Sequence, residues 1–553
     1  MRLVRATSWG QEKQNTALSQ KAPSRDHAKR CDVIRPWHAL TILILISLTP
    51  ALAADLRLVL AVEPNSIDPH VHNFGGNKSF MKNLFETLTV IGANGRPEPN
   101  LATSWTLIDD TTWDITLRPD VTFSDGTKFT ADDVAFTLRR ALEVPSTVTT
   151  FAEYVKSIAR AEVIGPHRLR LHTNGPFPLL PEYMASIGIV SRAHGETTTS
   201  DYNNGKGAIG TGPFRLVSWA RADRLVMQRN ERYWGAKPAW NTATFRYVKN
   251  ASSRLATLLA GDADLIDTVS VQDLERLRND KRFVVISGLS ADIVGFVFDK
   301  REQPSPKITG NDGQPLAANP FHDKRVRAAV DLAIDRDAIR DRVMNGQSAP
   351  DNQFMSPGQY GHDPSLPPTR HDPLEAKRLL AEAGYPNGFR LTMHCQNDRF
   401  VNDAAICQAI AQMLTRAGIA TTPEVMPHAV WVPRANKKEF SFFTTFWTFD
   451  TPEPSIVLIS QFATADAARG RGAFNRGVYS NPEFDSVLEK ALTMTDRDKR
   501  EKLLIQATGI AIRDHATVPL HHQFNIEAMT TRVRHTPRAD GHIMAADITP
   551  ADQ

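Results

Sequence analysis

The stretch "TWDITLRPDVTFSDGTKFTADDVAFTLRRAL", Thr112 to Leu142, restricts the fold most. Trp113, Ile115 and Leu117 alternate with Asp114, Thr116 and Arg118, which predicts a strand with one buried face. Ser124-Asp125-Gly126-Thr127 is turn chemistry: the Asp side chain bonds local backbone and Gly takes a positive φ. Thr130 then reads as a helix N-cap, with Asp133 three residues on in the place where a capping box usually carries Glu or Gln. Val134, Leu138, Ala141 and Leu142 make the expected apolar helix face. Strand, turn and helix in so short a span predict an α/β class. The aspartates have structural tasks there, so no carboxylate-rich active site is needed to explain them.

The rest of the chain alternates in the same way. Leu56, Leu58 and Leu60 predict an opening strand, and Phe80, Leu84, Phe85 and Leu88 share one helix face. "FRLVSWARADRLVMQRN" predicts two strands around a turn at Arg221-Ala222-Asp223. "DIVGFVFDK" is a further strand, just before which the chain is expected to leave its first domain. "DKRVRAAVDLAIDRDAIRDRVMNG" predicts a single helix ending at Asn345-Gly346, and Pro373 and Gly384 bracket another. An aromatic strand, "EFSFFTTFWTFD", two helices and the run "TVPLHHQFNIEAMT" follow.

At 553 residues, with 41% apolar and 23% charged side chains, the chain has ample material for more than one folded domain. Eight of its 65 basic and three of its 61 acidic residues fall in the first 53 positions, leaving 57 and 58 in the body. A near-neutral body excludes a basic nucleic-acid footprint. Those first residues contain the apolar run Ala39 to Leu48, preceded by positive charge and followed by Ala51-Leu52-Ala53. The run is about half the roughly 20 residues that a bilayer span needs. It predicts an export signal over 1–53, cleaved after Ala53 to leave a periplasmic protein. No Met separates Met1 from the run, so translation is expected to start downstream at a non-Met codon near Val33. Cys31 precedes the apolar run, which argues against a lipid anchor.

Cys395 and Cys407 are the cysteines left in the mature chain, an even count that predicts one structural disulfide, with two buried thiols as the alternative. Their spacing lacks the short paired intervals of a zinc site. The pairs His70/His72 and His521/His522 are candidate metal ligands. Neighbours in a strand point to opposite faces, however, so His521 and His522 cannot both face one site, and no metal or cofactor is expected. Hydrolase and nucleotide motifs are missing, and no nucleophile–base pair stands out, so an enzyme is not expected. "GTGPF" (Gly210 to Phe214) contains a G-x-G, but Pro213 and a strand follow it instead of a helix. It reads as a tight turn where backbone passes closely.

The segment "FSDGTKFTADDV" resembles the signature of the extracellular solute-binding proteins of family 5, the oligopeptide-, dipeptide-, nickel- and glutathione-binding components of bacterial ABC importers. So do "EPNSIDPH", "LFETLTV", "PEPNLATSW", "GTGPFRLVSW", "ERYWG", "DKRVRAAVDLAIDR", "EAGYPNGF", "YSNPEFDSVLEKA" and "VPLHH", in the same order along the mature chain. The resemblance implies a periplasmic-binding-protein fold: two lobes joined by a hinge, with the ligand buried between them. It implies lobe one over 54–290 with an inserted subdomain at roughly 80–205, lobe two over 291–518, and a return to lobe one over 519–553.

By the same resemblance, Asn73, Phe74 and Gly75 pair with the backbone of an extended ligand from one side, and Phe446, Trp447 and Thr448 from the other. The resemblance likewise implies that Asp450 receives the ligand's ammonium, and by their own chemistry Trp447 and Phe449 are suited to wall the pocket and offer cation–π contact. A buried carboxylate needs such a cationic partner. The alternative is that "FSFFTTFWTFD" is only a buried strand ending in a capped turn. Glu453 in "DTPEP" departs from the family pattern and weakens the case for a standard peptide ligand. No residue stands out as the partner of a ligand carboxylate. The implied function is capture of a small peptide-like or amine-bearing solute by a monomer, and its delivery to an inner-membrane ABC permease complex. A chemoreceptor partner or a metal-chelate or haem cargo is the alternative.

Overall fold

Two strands far longer than the usual five or six residues organise the molecule: Phe283–Phe298 and Thr517–Thr530. The computed structural model describes residues 55–551 apart from 74, 93–94, 146–150 and 450–452. The export segment with Ala53, and the candidate site residues Phe74 and Asp450, lie outside the described residues.

The long strands run antiparallel, with the register broken between Leu289 and Ile293. On one side of the break, 283–289 pairs with 524–530. The sheet continues there through Leu265–Ile266, Leu56–Leu60, Thr242–Tyr247, Arg224–Arg229 and Phe214–Ala220. On the other side, 293–297 pairs with 517–522. It continues there through Phe442–Thr448 and Phe389–Gln396, with Ile419–Met426 beyond. One twelve-stranded sheet thus threads two lobes, each with its own apolar core. Leu58, Phe85, Phe245 and Met529 pack in the first. Val294, Phe298, Phe321, Phe389 and Phe442 pack in the second, where the Phe442 ring stacks 5.0 Å from both Phe296 and Phe298. Strand Leu56–Leu60 buries Leu56 and Leu58 on one face and Val59 on the other, as a parallel strand covered on both sides should.

A four-stranded antiparallel sheet, ordered Ala102–Asp109, Thr112–Leu117, Arg168–Thr173, Ile158–Gly165, makes a third core with helix Ala131–Glu143. Three of the five aspartates in the stretch 112–142 are occupied as their positions suggest. Asp114 takes two hydrogen bonds from Arg170, at 2.6 and 3.0 Å. Asp125 accepts from the Thr127 amide and hydroxyl and from His194, next to Gly126 at φ 96°. Asp133 reaches back to the Thr130 amide and hydroxyl, and its other oxygen accepts from the Arg192 amide. Leu142 differs from expectation: it is 47% exposed, because Ala141 and not Leu142 closes the buried face in the last turn.

The "GTGPF" turn is a close backbone approach. A Cβ on Gly210 would sit 2.1 Å from the Leu84 carbonyl oxygen, and one on Gly212 would sit 2.7 Å from those of Asn83 and Leu84. The predicted single helix over 324–345 is interrupted: Lys324–Ala333 ends at Ile334, and Asp335 caps a second segment by accepting from the Ala338 amide. Cys395 and Cys407 form a disulfide across the second core, Cα atoms 6.5 Å apart. His70 is buried between the Gly188 carbonyl, to which Nε2 donates, and the Arg140 guanidinium at Nδ1. Burial and Arg140 together hold its pKa down at about 4. Burial likewise lowers His521 to about 3. His72 stands at φ 57°, three residues before helix Gly75–Leu84. Among the described residues no group of three His, Cys, Asp or Glu side chains is placed to hold a metal ion, and no helix is long and apolar enough to cross a membrane.

Candidate ligand-binding cleft

A cavity of about 700 Å³ lies where the lobes face each other. The register break supplies part of its wall through Leu289 and Ala291. Helix Gly75–Leu84 contributes Gly75, Lys78 and Lys82 from the first lobe, and Ala185 and Ser186 lie beside them. The second lobe contributes Met355, Gln359, Arg399, Thr448 and Phe449. The C-terminal segment from Thr536 to Asp540, with His542, completes the first-lobe wall.

Three of the residues singled out from the sequence therefore line the cavity: Gly75, Thr448 and Phe449. Asn73 does not line it; its side-chain amide donates to the Tyr154 hydroxyl at 3.2 Å. Phe446 stacks on Phe400 with the rings 4° from parallel, and Trp447 packs edge-on against Phe474 at 6.1 Å. Among the described residues, 446–448 have a strand on one side only. There they face 292–294, whereas pairing with the neighbouring strand Phe389–Gln396 is confined to Phe442 and Phe443.

Charge in the first-lobe wall is largely self-compensated. Lys82 donates to Asp540 at 3.1 Å and approaches His542 Nδ1 at 3.0 Å, and Arg538 grips Asp540 through two bonds of 3.0 Å. Despite burial, His542, Lys82 and Arg538 hold the Asp540 carboxyl well below the ordinary range. Lys78 is buried and donates to the Tyr154 hydroxyl at 3.0 Å. On the second-lobe side, burial pushes the Asp292 carboxyl up, opposed by hydrogen bonds from Thr448 and Ser290 and by the Arg399 charge.

Arg399 is the residue that the sequence reading missed. It lies three positions beyond the end of strand Phe389–Gln396, held by its amide donating to Asp403. Its guanidinium lies 4.6 Å from the centre of the Phe446 ring and reaches the cavity. Among the described residues it has no carboxylate at ion-pair distance, Asp292 and Asp398 acting on it only through their charge, although a guanidinium is charged at any physiological pH. The signal that could have found it is position: in open α/β sheets ligands bind beyond the carboxyl ends of strands.

The family of bacterial extracellular solute-binding proteins, family 5, matches residues 96–469, well over half the chain. The chain belongs to that family. Its members are solute-binding proteins. Among curated relatives, the glutathione-binding protein GsiB of Salmonella typhi is 27% identical over 487 residues, covering 86% of this chain and 90% of that protein. The heme-binding protein A of Haemophilus influenzae is 26% identical over 468 residues, covering 79% and 81%. Two solved structures share the fold. HbpA2 from Haemophilus parasuis superposes with a TM-score of 0.77 at 22% identity over 90% of this chain and all of that one. The periplasmic binding protein DppA from Helicobacter pylori, in complex with the peptide STSA, does so with 0.68 at 23% identity, over 90% and 98%.

Proposed function

We propose that this protein is the periplasmic substrate-binding component of an ABC importer, and that it captures a short peptide-like solute between its lobes. In this reading the lobes are 54–290 with 519–553, and 291–518, with an inserted subdomain at roughly 80–205; the polypeptide crosses between them at the register break. Closure removes the ligand from water, and the ligand favours the closed form by touching both walls. The closed form is what the permease complex recognises, after an export signal has been removed at Ala53.

The observation that carries this reading is the strand edge at 446–448, which no described strand covers, beside Arg399, which has no ion-pair partner among the described residues. An extended backbone can add to that edge, as peptides add to exposed sheet edges elsewhere. Asn73, Phe74 and Gly75 would hold it from the opposite wall. Asp450 would take the ligand's ammonium, two residues beyond Thr448, with Trp447 and Phe449 nearby. Arg399 supplies the partner for a ligand carboxylate. A cavity of this size falls in the range of small-molecule sites and suits a few amino-acid residues. The names of the relatives, one for glutathione and one for haem, and the neighbour holding STSA all describe cargo that carries carboxylates.

Isothermal titration with glutathione and short peptides, each also N-acetylated or C-amidated, tests the reading. Blocking either end should weaken binding, and Asp450→Ala should weaken the free-amine ligand by at least ~2 kcal/mol. Equal affinity for free and blocked ligands would move the site elsewhere.

A further inference from the structure

Beside the ligand cavity, a second cavity of about 280 Å³ separates the same two lobes. One wall comes from the inserted sheet and its neighbours, through Trp105, Trp113 and Glu182, and the other from Tyr360, Glu453 and Arg497. Glu182 stands on the helical turn Leu180–Tyr183, anchored by Leu180 in the inserted core. Arg497 opens helix Arg497–Arg513, and Tyr360 belongs to a core built wholly within the second lobe. Across this gap the Arg497 guanidinium donates to the Glu182 carboxylate, linking positions 315 residues apart.

Among the described residues Arg497 forms an ion pair with Glu182 and with no other carboxylate. The guanidinium lies 4.4 Å from the centre of the Tyr360 ring, and the Tyr360 hydroxyl donates back to the Arg497 carbonyl oxygen at 2.6 Å. The other carboxylate that lines the cavity, Glu453, already accepts two bonds from Arg500, at 2.9 and 2.7 Å, in a pair that is itself buried. Glu182 is 4% exposed, and its second oxygen has no hydrogen-bond partner among the described residues. A buried carboxylate with a single charged partner is stable only while that partner is present. Separation of the lobes would remove the partner and return Glu182 to water at the same time.

We propose that Glu182 and Arg497 form an interlobe latch that is made on closure and sets how much of the ligand-free protein is closed. The proposal rests on the two-lobe closing reading above. The latch is outside the ligand cavity, yet it is connected to it: Ala185 and Ser186, three and four residues beyond Glu182, and Gln359, next to Tyr360, all line the cleft. Ligand contacts and latch therefore favour the same closed arrangement, and affinity depends on a pair that the ligand never touches.

Electron paramagnetic resonance distances between spin labels on Lys237→Cys and Lys377→Cys, one exposed position in each lobe, test this on protein stripped of ligand by unfolding and refolding. Wild type should show a short and a long distance. Glu182→Gln and Arg497→Gln should each raise the long-to-short ratio by about tenfold, and the double variant no further than either single one. The charge-reversed pair Glu182→Arg with Arg497→Glu should recover part of the short population, which a folding defect would not do. Ratios in both single variants equal to wild type overturn the latch while leaving closure intact. A single distance in wild type that none of the titrated peptides shifts overturns the closing reading as well, and the two failures are thereby distinct.

Discussion

The Arg399 guanidinium lies 4.6 Å from the centre of the Phe446 ring, and Phe446 in turn stacks on Phe400 at 5.8 Å. The stack is a platform that aims a charge into the cleft. Arg399→Ala should weaken a carboxylate-bearing ligand by about 2 kcal/mol or more, some thirtyfold, by titration calorimetry. Its effect on the C-amidated form of the same ligand should be small. Phe446→Ala should weaken binding less than Arg399→Ala, because it removes the support and leaves the charge.

His70 gives a pH signature. Its folded pKa, about 4, lies below the ordinary 6.5 because it is buried against Arg140, with Asp68 opposing. A depressed folded pKa contributes stability that is complete above pH 6.5 and is lost as pH falls through about 4. The difference corresponds to roughly 3 kcal/mol. Urea unfolding at pH 7 and pH 4.5 should therefore show a smaller loss on acidification in His70→Asn than in wild type. The other buried histidines are present in both proteins, so an equal loss would contradict this assignment.

The Cys395–Cys407 bridge closes a short loop with both residues fully buried. Removing it with Cys395→Ala and Cys407→Ala should cost about 3 kcal/mol by the chain-entropy estimate. In the native protein the bridge should resist dithiothreitol and become reducible in urea, as read by thiol alkylation and mass spectrometry. Rapid reduction without denaturant would contradict the observed burial.

Gly210→Ala should be severely destabilising, because its Cβ would fall 2.1 Å from the Leu84 carbonyl oxygen and backbone would have to move. Gly313→Ala meets no atom within 4 Å but stands at φ 83°, so only the strain of a positive φ opposes it. A melting temperature lowered more by the second change than by the first would contradict the reading of "GTGPF" as a close backbone crossing.

Local chemistry made much of the fold legible. The alternation at Trp113, Ile115 and Leu117, the Thr130 cap and the Arg221-Ala222-Asp223 hairpin each depend on neighbours in sequence. The break at Ile334 was hidden because Asp335 reads equally well as a solvated helix residue or as a new cap, and tertiary packing decides between them. Long-range pairings were out of reach for the same reason. Nothing in "LPEY" announces that Glu182 meets Arg497, and nothing in "QNDRF" announces that Arg399 settles on Phe446. In the cleft, Gly75, Thr448 and Phe449 were legible through a family resemblance, whereas Arg399 needed the strand ends brought together in space.

On the proposal above, the cleft holds a solute presenting both an amine and a carboxylate. Mass spectrometry of the small molecules released on denaturing protein purified from its native host tests it most directly. One molecule per chain is expected, peptide-like, with a free amino group and at least one carboxylate. A stoichiometric ligand bearing neither group would contradict it.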